Sequence, residues 1–295
     1  MKGPTQSKTT SRVGLCRLIK YALLSIIVIW GLTSKATTGS GGSESNEVPR
    51  YLYTASAHEI SLIDKQTLER KVLAGNLAGI NGKQNHYLGY PKELVAGTNY
   101  LYFYNDWAGK IQRVYTGDDS KSAIENIVPH YGFVSGDGIN FNSLAVNDTQ
   151  AFWVRTNGQE TSYIHGKKFG RNDLPKVLTS VSNVARLRAA SNALFIATCC
   201  SVWYGTPSIF KYNLVTETLE LVQSDIVPGL GMIRTALSAT EFFWVNGDTI
   251  YRMPQSSITP QVLVTGLPNI LHITADESTL YALDYNAQPK TIYKI

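Results

Sequence analysis

The sequence is poor in charged residues, and no helical pattern runs through it. Charged residues make up 17% of the 295 residues and hydrophobic residues 43%, which excludes a generally disordered chain and is compatible with a buried core. No apolar period of 3.6 residues is sustained after the N-terminal region, so a helical fold is not expected. Tyrosine is abundant at 17 residues against 3 methionines, and this bias favours strands.

Motifs for catalysis, metal binding and phosphate binding are missing as well. The chain contains neither a Gly-Lys-Ser/Thr phosphate loop nor a Gly-x-Ser-x-Gly nucleophile elbow. Its five histidines show no pair at helical spacing and no cysteine-rich neighbourhood, and no acidic loop has calcium-ligand spacing. We therefore expect no metal site and no cofactor.

Acidic residues are absent from the first 36 residues, which hold six of the 27 basic side chains. The formal net charge of +5 comes from this segment, because the remainder carries 21 basic against 22 acidic residues. The basic overall charge is therefore no reason to expect nucleic acid as a partner.

The N-terminal segment, residues 1–36, is predicted to be an export signal or a membrane anchor. Its apolar run, Tyr21 to Leu32, is too short for a bilayer core of about 30 Å. Small residues at Ser34 and Ala36 suit a signal peptidase. Without cleavage, residues 15–32 would tether the protein to a membrane. Either outcome places the protein outside the cytoplasm, periplasmic or secreted.

A Gly/Ser-rich linker at residues 37–48 precedes a folded region, residues 49–295, that contains an internal repeat. The repeat is built on apolar runs with a central aromatic, 37 to 51 residues apart. Further short apolar runs, separated by polar turns, lie between them. Each unit therefore predicts up to four short strands. The central aromatics are Tyr53, Tyr102, Trp153, Phe195, Trp244 and Tyr281.

These units predict an all-β fold, a β-propeller of about six four-stranded antiparallel blades. Four strands in about 46 residues leave no room for a crossover helix, so neighbouring strands must be antiparallel. A sheet that is apolar on both faces needs a neighbour on each side, and a radial arrangement supplies one. The first unit lacks its first strand and the last unit stops after its third. Five or seven blades therefore stay open as alternatives.

This repeat resembles the six-bladed propellers of the TolB, NHL-repeat and related exported families. The resemblance covers residues 50–295 and rests on the order of strands and turns, without a WD dipeptide, a kelch double glycine or an RTX-like calcium repeat. It therefore implies the fold alone.

Long loops are expected on one face of the ring, where the connections from the outermost strand to the next innermost strand emerge. Residues 74–92, 129–142 and 223–233 form such links, and residues 198–206 join them from within a unit. Their aromatic and polar side chains suit a glycan, an extended peptide or another small molecule, although the rings could instead pack within the loops. The candidate ligand-binding residues are His86, Tyr87, Tyr90, Trp107, His130, Tyr131, Asp137, Trp203 and Tyr204.

The sequence thus predicts an exported, non-catalytic propeller that binds a small molecule, a glycan or a protein. The alternative is a hydrolase or lyase in which His86, His130 and Asp137 form an acid–base cluster on the same face. A structural module tethered to a membrane is a third reading. The adjacent Cys199 and Cys200 either form a vicinal disulfide or remain plain thiols.

Overall fold

The computed structural model describes sixteen parts of the chain, and every regular element in them is a β-strand. The predicted export segment and linker lie outside these parts. Among the described residues no helix has the length and apolarity of a membrane span. The described residues are 51–56, 59–64, 66–75, 88, 91–97, 99–105, 109–116, 124–128, 143–156, 161–171, 174–199, 206–227, 233–267, 269–276, 279–284 and 291–295.

The strands form six antiparallel sheets, the blades, and within each blade they follow chain order. Blade 1 contains β1 (Tyr51–Ser56), β2 (Glu59–Asp64) and β3 (Arg70–Gly75). Blade 2 contains β4 (Pro91–Ala96), β5 (Tyr100–Asn105), β6 (Lys110–Tyr115) and β7 (Glu125–Val128). Blade 3 contains β8 (Leu144–Val146), β9 (Gln150–Thr156), β10 (Thr161–Lys168) and β11 (Lys176–Ser182).

The second half of the chain repeats this arrangement. Blade 4 contains β12 (Val184–Ala189), β13 (Ala193–Thr198), β14 (Ile209–Asn213) and β15 (Thr218–Gln223). Blade 5 contains β16 (Thr235–Leu237), β17 (Glu241–Asn246), β18 (Thr249–Pro254) and β19 (Gln261–Val264). Blade 6 contains β20 (Ile270–Ala275), β21 (Leu280–Asp284) and β22 (Thr291–Lys294).

The blades stand in a ring and bury one another's faces, which confirms the predicted six-bladed propeller. Five hydrophobic clusters lie at the successive junctions from blade 1 to blade 6, each with buried residues from two neighbouring blades. At the junction of blades 4 and 5, for example, Phe195 stacks on Phe242 with ring centroids 4.4 Å apart. The alternation of apolar side chains along each strand thus supplies both blade faces.

The repeat units match the blades closely. The central aromatics lie on the second strand of blades 2 to 6, and Tyr53 lies on β1. Blades 1 and 6 have three described strands each, in agreement with a first unit that lacks its first strand and a last unit that stops after its third. The sequence pattern missed β7, because Glu125 and Asn126 interrupt its apolar character.

Candidate functional site

The inner wall of the ring is formed by the first strands of blades 2 to 6. These strands, β4, β8, β12, β16 and β20, contact one another in ring order, so they surround the propeller axis. Most of their side chains are apolar and pack between blades. A small set of charged and polar side chains departs from this pattern. We call Glu93, Arg186, Arg188, Arg234 and His272 the axial cluster.

An ion pair in this cluster joins two blades that are not neighbours. Nη1 of Arg186, on β12 of blade 4, donates to both carboxylate oxygens of Glu93, on β4 of blade 2, at 2.8 and 3.0 Å. Blade 3 separates them in the ring, so the contact reaches across the axial side of that blade. The two side chains are 32% and 25% exposed, which keeps the pair in contact with solvent.

Two further arginines link blades 4, 5 and 6 through backbone carbonyls. Arg188 donates from Nη2 to the carbonyl of Thr235 in blade 5 at 3.2 Å and from Nη1 to its neighbour Leu187 at 3.2 Å. Arg234, directly before β16, donates from Nε to the carbonyl of Leu271 on β20. Arg186 and Arg188 are two residues apart on β12 and therefore project to the same side of the strand.

His272 completes the cluster from blade 6. Its side chain is exposed, although it lies on an inner strand whose neighbours Ile270 and Ile273 are buried. Desolvation, together with the charges of Arg188, Arg186 and Arg234, lowers the pKa of His272 to about 4. The imidazole is therefore neutral at pH 7 and adds no charge to the cluster.

The cluster combines three arginines with one carboxylate. Desolvation and the nearby Arg186 lower the pKa of Arg188 to about 10, so Arg188 stays protonated at pH 7. Desolvation and Arg186 also lower the pKa of Arg234. Among the described residues, Glu93 is paired with one of these guanidinium groups, that of Arg186. Guanidinium groups in this number suit recognition of an anionic group.

The backbone of Glu93 is unusual. Its φ is +50°, in the left-handed region that non-glycine residues seldom occupy, and it lies at a β-bulge between Lys92 and Val95 in the β4–β5 register. A conformation of this kind costs about 1–3 kcal/mol and persists where the surroundings hold it. The ion pair with Arg186 is one such interaction, so the bulge directs the carboxylate to the axis.

Four of the five cluster residues lie near the beginnings of the inner strands. Glu93 and His272 are early in β4 and β20, Arg186 is the third residue of β12, and Arg234 precedes β16. The outer-to-inner connections reach the inner strands at this end. In blade 4 the N–H of Cys199, at the end of β13, donates to the carbonyl of Asn183 in that connection at 2.8 Å. The cluster therefore lies toward the face that the sequence predicts to carry the long loops.

All nine candidate ligand-binding residues lie outside the described residues: His86, Tyr87, Tyr90, Trp107, His130, Tyr131, Asp137, Trp203 and Tyr204. Their grouping, and the acid–base alternative, stay predictions. Cys200 lies outside too, so the vicinal disulfide also stays a prediction. In the 74–92 link Leu88 is described, and it is fully buried in the cluster that joins blades 1 and 2.

No group of three or more His, Cys, Asp or Glu side chains that could hold a metal ion occurs within the described ranges. The axial cluster, in contrast, was missed by sequence reasoning. Its signal is the segment Arg186-Leu187-Arg188, two cations at a spacing of two residues inside an otherwise apolar innermost strand. The near balance of charges over residues 37–295 hides this local excess.

No family model matches the chain, and no curated protein matches it. Solved structures match its fold. A structure of the nidogen/laminin complex covers 83% of this chain and 88% of the matched chain at 14% identity, with a TM-score of 0.55. An oligogalacturonate lyase in complex with manganese covers 83% and 73% at 10% identity and TM-score 0.55. TolB from Acinetobacter baumannii covers 76% and 56% at 10% identity, with a TM-score of 0.47.

The first two similarities, with TM-scores of 0.55, support the propeller fold and differ in function. The first matched structure is of a binding complex, and the second is a lyase. Because one fold hosts both kinds of activity, fold alone does not choose between them. The choice depends on the side chains of the site.

The pKa of His272 predicts a pH dependence of stability. Its folded value of about 4 lies below the unfolded value of about 6.5, so the unfolded chain binds a proton that the folded chain does not. Stability is therefore expected to fall as the pH drops from about 6.5 to about 4. Urea unfolding at pH 7, 5.5 and 4.5 measures this loss.

The variant His272→Gln isolates the contribution of this group. Its loss of stability on acidification should be smaller than that of the unmodified protein. His165 serves as the control, because desolvation and Arg155 also lower its pKa, while its ring stacks on Trp153 away from the axial cluster. The variant His165→Gln must retain the part of the pH-dependent loss of stability that is due to His272. If His272→Gln and the unmodified chain lose equal amounts of stability on acidification, the assignment is refuted.

Proposed function

We propose that this protein is an extracytoplasmic, non-catalytic binding propeller that holds its ligand on the loop-bearing face, over the axial cluster. The ligand class is a glycan or an extended peptide. The observation that carries this proposal is the convergence of five charged or polar side chains from blades 2, 4, 5 and 6 at the axis.

The composition of the cluster favours binding over catalysis. Arginine stays protonated at neutral pH, and here the guanidinium groups are held by a carboxylate or by backbone carbonyls. Such groups orient a ligand through directed hydrogen bonds. The five side chains of the axial cluster include one imidazole and no hydroxyl or thiol, and the nearest thiol is that of Cys199, which acts on the pKa of Arg234 from outside the cluster. A small number of fixed polar groups that orient a ligand is typical of a recognition site.

Two features support a location outside the cytoplasm. The first is the predicted export segment, residues 1–36, with its basic start and short apolar run. The second is the resemblance of the repeat to propellers of exported families. Whether the apolar segment, residues 15–32, is cleaved or tethers the protein to a membrane would be measured by N-terminal sequencing of the protein from its native host.

Binding of the full chain to glycan and peptide arrays tests the proposal. Loss of binding is expected for Arg188→Gln, which removes a cation from the axial cluster, and for Trp107→Ala and Trp203→Ala on the predicted loops. A fall in affinity of about tenfold or more is expected for each, since one well-placed contact at such a site contributes about 1–3 kcal/mol.

Arg252→Gln is the matched control, because Arg252 lies on β18, the third strand of blade 5, beside Glu241 at 3.7 Å. It should bind as the unmodified chain does. If all three site variants bind with unchanged affinity, the ligand does not occupy this face. Chemical conversion of a bound array ligand would instead support the hydrolase or lyase alternative.

A further inference from the structure

The third strand of a complete blade carries an isoleucine at one fixed position. Immediately after it, the pairing with the outermost strand shifts by one residue. Blade 1 shows the same shift between β2 and β3, so these two strands correspond to the third and fourth strands of a complete blade. The five isoleucines are fully buried, each in the cluster shared with the next blade. They are Ile60, Ile111, Ile164, Ile209 and Ile250.

Ile292 holds the same position in blade 6, and it is exposed. Residues 292–294, Ile-Tyr-Lys on β22, match residues 250–252, Ile-Tyr-Arg in blade 5. The side chain of Ile292 is 66% exposed, against 0% for Ile250. Within the described ranges blade 6 has no fourth strand, and none of the five clusters joins blade 6 to blade 1. The exposure of Ile292 therefore marks a position that lacks its outer neighbour.

The outer edge of β22 presents backbone groups for a further strand. Leu280 and Ile295 exchange reciprocal N–H···O bonds at 3.0 and 2.9 Å. In an antiparallel pair, such bonded positions alternate with positions whose N–H and C=O groups point away from the partner strand. The backbone groups of Ile292 and Lys294 therefore point away from β21, toward the place where the other blades have their outermost strand.

From this geometry we infer that β22 is a docking edge, to which an extended segment of a partner protein adds as the fourth strand of blade 6. In this kind of recognition the main-chain hydrogen bonds give affinity, and the side chains give specificity. The site goes beyond the proposed function, because it lies at the outer edge of blade 6 and not over the axial cluster.

The five outermost strands show which side chain the incoming segment must carry. At the register shift each of them has one residue more than its partner strand. In every case this extra residue is a branched aliphatic one that packs in the cluster shared with the next blade. The extra residues are Leu73, Ile127, Leu178, Val222 and Leu263. The incoming segment therefore needs a branched aliphatic residue that packs beside Ile292.

Charge complementarity specifies a second residue of the segment. Two positions after the buried isoleucine, blades 2, 4 and 5 carry a cation, and the outermost strand places Glu or Gln opposite it. The pairs are Arg113 with Glu125, Lys211 with Glu220, and Arg252 with Gln261. Blades 1 and 3 have Leu62 and Gly166 at this position, and there the facing residue is a lysine. Since blade 6 carries Lys294, the segment should have a glutamate two residues before its aliphatic residue.

The sequence ahead of β1 does not contain this pattern. Its only acidic residues are Glu44 and Glu47, and the residues two positions later are Asn46 and Pro49. Proline has no N–H group to donate to a neighbouring strand. A segment of another protein is therefore favoured over the N-terminal residues of this chain.

The competing interpretation is that the edge stays open and that Lys294 protects it. A lysine on an edge strand discourages pairing with other chains. A protected edge rejects an added strand, whereas a docking edge accepts one with the matching charge. Binding of a strand-forming peptide separates the two interpretations.

The probe is the fluorescein-labelled peptide TETLELVQS, residues 216–224, which contains the outermost strand of blade 4 with Glu220 and Val222. Fluorescence anisotropy measures its Kd for the full chain. Two control peptides carry lysine in place of Glu220 or serine in place of Val222. Each control peptide should bind about five- to tenfold more weakly, because it loses the charge match or the buried aliphatic group.

Variants of the chain make the result specific to β22. Ile292→Ser should weaken peptide binding about tenfold and leave the Tm nearly unchanged, because this side chain is exposed. Val262→Ser on β19 is the matched control, since Val262 is 57% exposed, and it should bind like the unmodified chain. Lys294→Glu should prefer the lysine peptide to TETLELVQS. Arg188→Gln should bind TETLELVQS unchanged, which separates this edge from the axial cluster.

The variant Ile292→Cys shows what covers the edge before any peptide is added. Maleimide should label the introduced cysteine rapidly, and TETLELVQS should slow the reaction, with the labelled site mapped by mass spectrometry. Protection at every protein concentration would mean that the chain covers its own edge. Protection that disappears on dilution would mean that a second copy covers it. Either result overturns the inference.

The remaining outcomes are equally decisive. Loss of binding in Ile292→Ser, together with the reversed charge preference of Lys294→Glu, supports the inference. Absence of peptide binding, or equal binding by all variants, overturns it. If TETLELVQS docks on β22 while no array ligand binds the loop-bearing face, the inference stands and the proposed function fails. The reverse result refutes the inference alone.

Discussion

Replacing Trp244 with alanine is expected to lower the free energy of unfolding by about 3–5 kcal/mol. Trp244 is fully buried on β17 in the cluster that joins blades 4 and 5. Its ring stacks on Phe242 and Tyr251 at centroid distances of 5.5 and 5.6 Å. Its Nε1 donates to Oε1 of Gln223, on the outermost strand of blade 4, at 2.7 Å. The substitution thus removes packing and an inter-blade hydrogen bond together.

Urea unfolding followed by circular dichroism measures this change, and the Tm should fall by about 10 °C. The control is Val262→Ala on β19, the outermost strand of the same blade, where Val262 is 57% exposed. Its effect should stay within about 0.5 kcal/mol, as for most surface changes. A loss below about 1 kcal/mol in Trp244→Ala would contradict the mutual burial of blades 4 and 5.

The second large effect is expected for Glu93→Arg, which should lower the free energy of unfolding by about 2–3 kcal/mol at low salt. The change replaces the only carboxylate of the axial cluster with a fourth guanidinium group. Arginine carries a β-carbon as glutamate does, so the left-handed backbone at this position gains no new strain from the exchange. The loss therefore reports charge. It should shrink in 1 M NaCl, which screens the repulsion.

The reversed pair Glu93→Arg with Arg186→Glu should recover part of this loss, and a double-mutant cycle gives the coupling energy. Glu125→Arg provides the comparison, because Glu125 pairs with Arg113 at 2.7 Å within blade 2, with the carboxylate side chain 45% exposed. This pair should be worth about 1 kcal/mol or less. If the two substitutions lower the free energy of unfolding equally, the ion pair at the axis contributes no more to stability than the pair within blade 2.

The strands were predictable because apolar side chains at alternate positions fill each blade face, and a central aromatic residue lies on the second strand. That pattern is local in sequence and needs no knowledge of the ring. Trp153 and Trp244, for example, identify their strands by their immediate neighbours alone. The weaker strand β7 was missed because its first two residues, Glu125 and Asn126, resemble a loop.

The axial cluster could not be predicted in the same way. Glu93 and Arg186 are 93 residues apart, and only the curvature of the ring brings blade 4 within reach of blade 2 across blade 3. Arg234 precedes a strand of only three residues, which is a weak sequence signal. The residues next to His272 in the sequence do not indicate what its side chain contacts. What the sequence does contain is the pair Arg186 and Arg188 on one side of a predicted strand, a pattern that becomes informative once that strand is known to be innermost.

The ion pair between Glu93 and Arg186 has a consequence for how the propeller unfolds. In a radial array each unit contacts its two neighbours, and its stability is close to a sum of independent neighbour terms. A contact between second neighbours breaks that independence. While the ion pair holds blades 2 and 4 together, blade 3 cannot unfold without straining the segment that these three blades form. Blades 2 to 4 should therefore exchange their amide hydrogens as one cooperative block, with similar opening free energies.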